Sequence, residues 1–129
     1  MINTYEAYLK QPNALKMEDA LRIYTEMTEC ISKCSAEDKM EFWNEFLMNA
    51  AEYTNIRNRW ETMSLEEKIE QDKSRTLCHE GFMTSLNIIS RLAKQEDIDI
   101  SWWEELGQDR KRRGDFACFV TYITGISNR

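Results

Sequence analysis

The sequence predicts an all-α protein, a compact helical bundle of three long helices plus two or three short ones. Three observations carry that prediction. One proline and four glycines in 129 residues leave too little punctuation for a β-sandwich, which needs a turn every 8–12 residues or so. Apolar residues recur at three- and four-residue steps through most of the chain, the spacing of one helical face. Two S-x-x-E patterns, at residues 64–67 and 101–104, have the form of capping boxes at helix starts.

Taken in order, Tyr5, Tyr8 and Leu9 predict a short first helix. It stops near Pro12, because the residue before proline avoids helical geometry. A second helix is expected over 15–34, with Met17, Leu21, Tyr24, Met27, Ile31 and Cys34 on its inner face. Ser35 reads as the N-cap of a third helix over 36–63, with Glu37 and Asp38 complementing its dipole. The stripe of that helix is Phe42, Phe46, Ala50, Tyr53, Ile56 and Trp60, flanked by Trp43 and Leu47, a wide aromatic face.

Ser64 opens a fourth helical stretch reaching about residue 95. Its first part is polar except for Leu65 and Ile69, and a bend near Lys73 and Ser74 is expected. Residues 96–100 read as a loop. Ser101-Trp102-Trp103-Glu104 then starts a brief helix ending at Gly107, where glycine suits a left-handed terminus. The last helix begins at Asp109 or Asp115 and stops at Gly125, burying Phe116, Phe119, Val120 and Ile123. Gly114 favours the later start, since glycine inside a helix costs about 1 kcal/mol relative to alanine.

Charge and composition narrow the function. Hydrophobic residues are 42%, charged residues 31%, and four Trp, five Tyr and five Phe can build a core, so 1–129 is read as a single helical domain. The net charge is −6, with the acid excess in the first 74 residues. An acidic chain repels polyanions, which argues against generic nucleic-acid binding. No window approaches 18 apolar residues, so no membrane span is expected. The N-terminus has neither a basic nor an apolar signal region. Cys30, Cys34, Cys78 and Cys118 all fall in helical runs, so they are read as reduced thiols of a cytoplasmic protein.

Catalytic and cofactor chemistry finds little footing. Cys30 and Cys34 are one turn apart, but helical spacing is not a zinc knuckle, and buried cysteine is commonly a small hydrophobe. No metal and no cofactor is expected. A di-iron carboxylate bundle needs paired Glu-x-x-His motifs, and the chain has one histidine, His79, with Thr76 three residues before it. The glycines are scattered, with no phosphate-binding loop pattern. A catalytic relay would have to use His79, whose neighbour Cys78 points elsewhere on a helix. These points lean away from an enzyme.

Two groups of residues remain as candidates. Arg110, Arg112 and Arg113, in a basic run with Lys111, lie close to Trp102 and Trp103, the residue types enriched at interface hot spots. Internal neutralisation by Glu96, Asp97, Asp99, Glu104, Glu105 and Asp109 is the plainer account of that run. Arg75, His79 and Asp115 are the second group, a polar pocket between helices.

Residues 106–118, Leu-Gly-Gln-Asp-Arg-Lys-Arg-Arg-Gly-Asp-Phe-Ala-Cys, together with Trp102-Trp103, are similar to the C-terminal part of a small family of uncharacterised bacterial proteins. The resemblance covers the last third of the chain. It implies that this piece is a unit and carries no activity, ligand or functional residue with it.

The first functional expectation is protein–protein interaction or self-association through Trp102, Trp103, Arg110, Arg112 and Arg113. The alternative is a small-molecule or enzymatic pocket around Arg75, His79 and Asp115. A regulator acting on nucleic acid through residues 110–113 comes third.

Overall fold

The computed structural model describes residues 15–125. Over these the chain forms five helices: α1 Met17–Lys33, α2 Lys39–Trp60, α3 Leu65–Lys94, α4 Ser101–Leu106 and α5 Arg110–Thr124. The all-α bundle of three long helices with shorter ones is the observed architecture. The short helix expected around Tyr5, Tyr8 and Leu9 lies outside the described residues.

In α1 the buried face is Ala20, Ile23, Met27, Cys30 and Ile31. The expected stripe is rotated by one position at its start, and Leu21 is exposed. The face that includes the small Ala20 lets α1 lie close against its neighbours, leaving Leu21 on the flank.

The turn after α1 corrects an expectation. Ser35 is not an N-cap; α2 begins at Lys39, with Asp38 before it. The Ser35 backbone N–H instead donates to the Glu96 carboxylate at 3.0 Å, which holds the segment outside the helix. Lys39 Nζ donates to the carbonyls of Cys34 at 2.8 Å and Ser32 at 3.2 Å, satisfying the open end of α1.

Along α2 the buried side chains are Trp43, Phe46, Ala50, Ala51, Tyr53, Thr54 and Ile56. Phe42 and Trp60, expected at the two ends of the inner stripe, are only half-buried. α3 opens with the predicted capping box, Ser64 Oγ accepting from Glu67 N–H and Glu67 Oε1 accepting from Ser64 N–H, each at 3.2 Å. It then runs 30 residues without the expected break near Lys73 and Ser74.

The second capping box does not form. Ser101 is the first helical residue of α4, and its hydroxyl donates to the Asp99 carboxylate. Gly107 ends α4 with φ of 72°. α5 starts at Arg110, not 115, with Asp109 Oδ2 accepting from Arg112 N–H at 2.9 Å. Gly125 closes it in the left-handed conformation.

The most extensive packing joins α2 to α3, then α2 to α5, while α1 covers α4 and α5. One core results, with Phe46 at its centre, 5.6 Å from Phe82 and 6.5 Å from Phe116 between ring centroids. Several polar groups in and beside it are paired, while the buried Trp102 Nε1 has no hydrogen-bond partner. Thr121 donates to the Ala117 carbonyl and meets Thr54 at 3.1 Å, and Asn49 donates to Ser85 at 2.6 Å. No described helix is long and apolar enough to cross a membrane.

Candidate functional site

The basic run at residues 110–113 is divided by helical geometry. Arg112 and Arg113 turn back onto the end of α4. Arg112 Nε donates to the Leu106 carbonyl at 2.9 Å and its Nη2 to the Glu105 carbonyl at 2.8 Å. Arg113 Nε donates to the Gly107 carbonyl at 2.7 Å. The three carbonyls that α4 leaves unsatisfied at its end are therefore closed by two arginines. Arg113 is 3% exposed, stacks 4.9 Å over the Trp103 ring and approaches Met83 Sδ at 3.4 Å.

Trp102 is 1% exposed and belongs to the core. Of the five residues expected at a partner surface, Trp102 and Arg113 thus face the interior, Trp103 and Arg112 are half-buried, and Arg110 is exposed. Spacing alone does not show this. A tryptophan pair in the first turn of a six-residue helix must turn one member inward, and the arginines follow the carbonyls.

Arg110 and Lys111 face the other way, into a cleft of about 490 Å³. Its walls come from three helices: Tyr53, Arg57 and Trp60 on α2, Arg75 on α3, and Asp109, Arg110 and Lys111 at the start of α5. Glu61, just after α2, completes the lining. Four cations and two aromatic rings thus converge on one cavity.

The cations are held differently. Arg57 lies between α2 and α5, donating to Asp115 Oδ1 at 2.8 Å and to Cys118 Sγ at 3.5 Å. Both partners of the ion pair are largely buried, with side chains 12% and 4% exposed. Gly114 makes room for it, since a Cβ there would stand 3.0 Å from Arg57 Cζ. Arg75 lies 4.3 Å over the Trp60 ring, and its Nε is buried without a hydrogen-bond partner. No carboxylate among the described residues is within ion-pair distance of Arg75, Arg110 or Lys111.

His79 sits one turn beyond Arg75 on α3. Its ring meets Tyr53 edge-on at 5.3 Å, and its Nε2 is buried without a partner. Burial, then Arg110 and Arg113, hold its pKa below the ordinary value of 6.5, against the pull of Glu80. It is a neutral imidazole at pH 7. Of the expected pocket of Arg75, His79 and Asp115, only Arg75 lines the cleft. Arg75 is on the wall, His79 is against a wall residue, and Asp115 lies beneath, reached through Arg57.

The cysteines are free thiols. Cys30, Cys34 and Cys118 are buried and Cys78 is half-buried. Burial pushes the Cys118 thiol up, so it stays protonated beside Arg57. No three His, Cys, Asp or Glu side chains cluster as metal ligands among the described residues.

Fold and site together define an all-α bundle with an electropositive cleft between three helices. Set against known families, curated proteins and solved structures, the chain matches no family model, no curated protein and no solved structure.

Proposed function

We propose that the protein binds a small anionic molecule in the cleft between α2, α3 and α5. One observation carries the reading: a chain of net charge −6 gathers Arg57, Arg75, Arg110 and Lys111 around a single cavity. Like charges brought together repel, so an acidic protein that assembles them gains stability from an anion between them. The volume falls within the range of about 300–1,000 Å³ usual for small-molecule sites. The lining holds no nucleophile paired with a base, so binding is favoured over catalysis. Free thiols support a cytoplasmic setting.

Isothermal titration calorimetry with citrate and AMP at low ionic strength tests the reading. The expected result is one saturable site for at least one of them, lost in Arg75→Gln. Absence of saturable heat with either anion up to millimolar concentration would overturn it.

Protein–protein contact or self-association is the second reading. Leu65, Ile69 and Leu77, on the first half of α3, are 76%, 69% and 57% exposed, which supports it. Native mass spectrometry showing only the 15.4 kDa monomer across micromolar concentrations would remove self-association. A long nucleic acid is the poorest fit, because two of the four basic residues at 110–113 are engaged with α4 carbonyls.

A further inference from the structure

We propose that the ligand is a phosphate monoester, its phosphoryl group held by Arg75, Arg110 and Lys111 and its organic part lying along Trp60. This rests on the anion-binding reading and narrows it to one chemical class.

Charge sets the first constraint. Arg57 is neutralised by Asp115, and Asp109 is engaged by the Arg112 N–H. Arg75, Arg110 and Lys111 remain against the lining carboxylates Glu61 and Asp109, a surplus of one positive charge. With the positive end of the α5 dipole added, that surplus is matched by a phosphate monoester, whose charge near neutral pH is about −1.5 to −2.

Geometry sets the second. Arg110 and Lys111 are consecutive residues at the start of a 15-residue helix. Their backbone N–H groups have no intrahelical acceptor, and the helix dipole adds positive potential at the same place. Two side chains and two N–H groups within one turn suit a compact dianion rather than carboxylates spread along a carbon chain. From α3, Arg75 has its face on Trp60 and its buried Nε without an acceptor. A phosphoryl oxygen meeting the guanidinium from the cleft would give Arg75 an acceptor and leave the stacking in place.

Size sets the third. A cavity of about 490 Å³ is much larger than a bare phosphate, and its remaining lining is Tyr53, Arg57, Trp60, Glu61 and Asp109. Tyr53 is already buried, and the half-buried Trp60 ring gains further cover only if the phosphate carries an organic group.

The test is a calorimetric panel of inorganic phosphate, phenyl phosphate, glycerol 3-phosphate and AMP, set against benzoate and citrate. At least one monoester is expected to bind about tenfold tighter than benzoate and than inorganic phosphate, the worth of one further charge-assisted contact or one buried ring face. Arg110→Gln combined with Lys111→Gln should remove that preference over benzoate. Trp60→Leu should remove the preference over inorganic phosphate, with circular dichroism confirming that each variant is folded. If citrate or benzoate binds as tightly as every monoester, the phosphate inference is overturned and the anion-binding reading stands. If nothing in the panel binds, both are overturned. If inorganic phosphate equals the esters, the role given to Trp60 is overturned.

Discussion

Arg57 passes α5 at Gly114, where a methyl group would stand 3.0 Å from its guanidinium carbon and 3.1 Å from Nη1. Two effects oppose each other there. Alanine favours a helix over glycine by about 1 kcal/mol. A Cβ at this point pushes Arg57 away from Asp115, and a buried carboxylate that loses its partner costs about 3–5 kcal/mol. The second effect is larger, so Gly114→Ala should destabilise the protein by about 1–3 kcal/mol, the usual range for overpacking. In an Arg57→Ala background the clash is gone and the same substitution should stabilise by about 1 kcal/mol. Urea unfolding of the four proteins measures both signs, and stabilisation in both backgrounds would show that Arg57 moves aside freely. The contact also shows what the sequence concealed at this scale. Arg75, His79 and Asp115 stand out as titratable groups among apolar ones. Arg57 does not, because apolar periodicity gives no weight to a cation on a buried face. Its signal is positional: it lies four residues after Tyr53 and three before Trp60, on the same side of α2.

Two segments with the same S-x-x-E pattern behave differently as elements. At residues 64–67 the pattern forms both of its reciprocal hydrogen bonds. At 101–104 it forms neither, because Asp99 lies two residues ahead and accepts from Ser101 first, with Oγ at 2.8 Å. A carboxylate near the start of a helix is the stronger acceptor and suits the dipole. Ser64→Ala should therefore cost about 1 kcal/mol, as N-cap losses do. Ser101→Ala should cost a few tenths, and Asp99→Ala more than Ser101→Ala. Thermal unfolding followed by circular dichroism ranks the three, and an equal loss at both serines would contradict the geometry. The pattern fixes that a helix starts nearby but not which oxygen caps it, since that depends on the path of the preceding loop. The basic run is illegible for a similar reason. Whether an arginine faces a partner or a carbonyl depends on where α4 ends relative to α5, and Arg112 and Arg113 are directed by the open carbonyls of residues 105–107.

Across the whole molecule, helical periodicity and chain punctuation were enough to predict the bundle, because burying one face of each helix is a demand local sequence expresses directly. The cleft is a different kind of object. It exists where the end of α2, the first half of α3 and the start of α5 meet, and no segment holds more than four of its eight lining residues. The same arrangement gives it mechanical consequences. A ligand touching Arg75, Arg110 and Lys111 ties α3 to α5 across α2, so it binds only when the three are assembled and not to the unfolded chain. Binding of that kind stabilises by mass action, about 2.7 kcal/mol at a ligand concentration 100 times Kd. For a chain of this length each kcal/mol moves Tm by about 3–5 °C, so a saturating monoester should raise Tm by about 10 °C. Arg110→Gln with Lys111→Gln removes two exposed cations that pair with no described carboxylate, so it should leave the ligand-free Tm within about 2 °C while abolishing the rise. A rise that survives the double substitution would place the ligand elsewhere on the molecule. A fall in the ligand-free Tm well beyond 2 °C would mean that these cations hold the start of α5 to its neighbours instead of waiting for an anion.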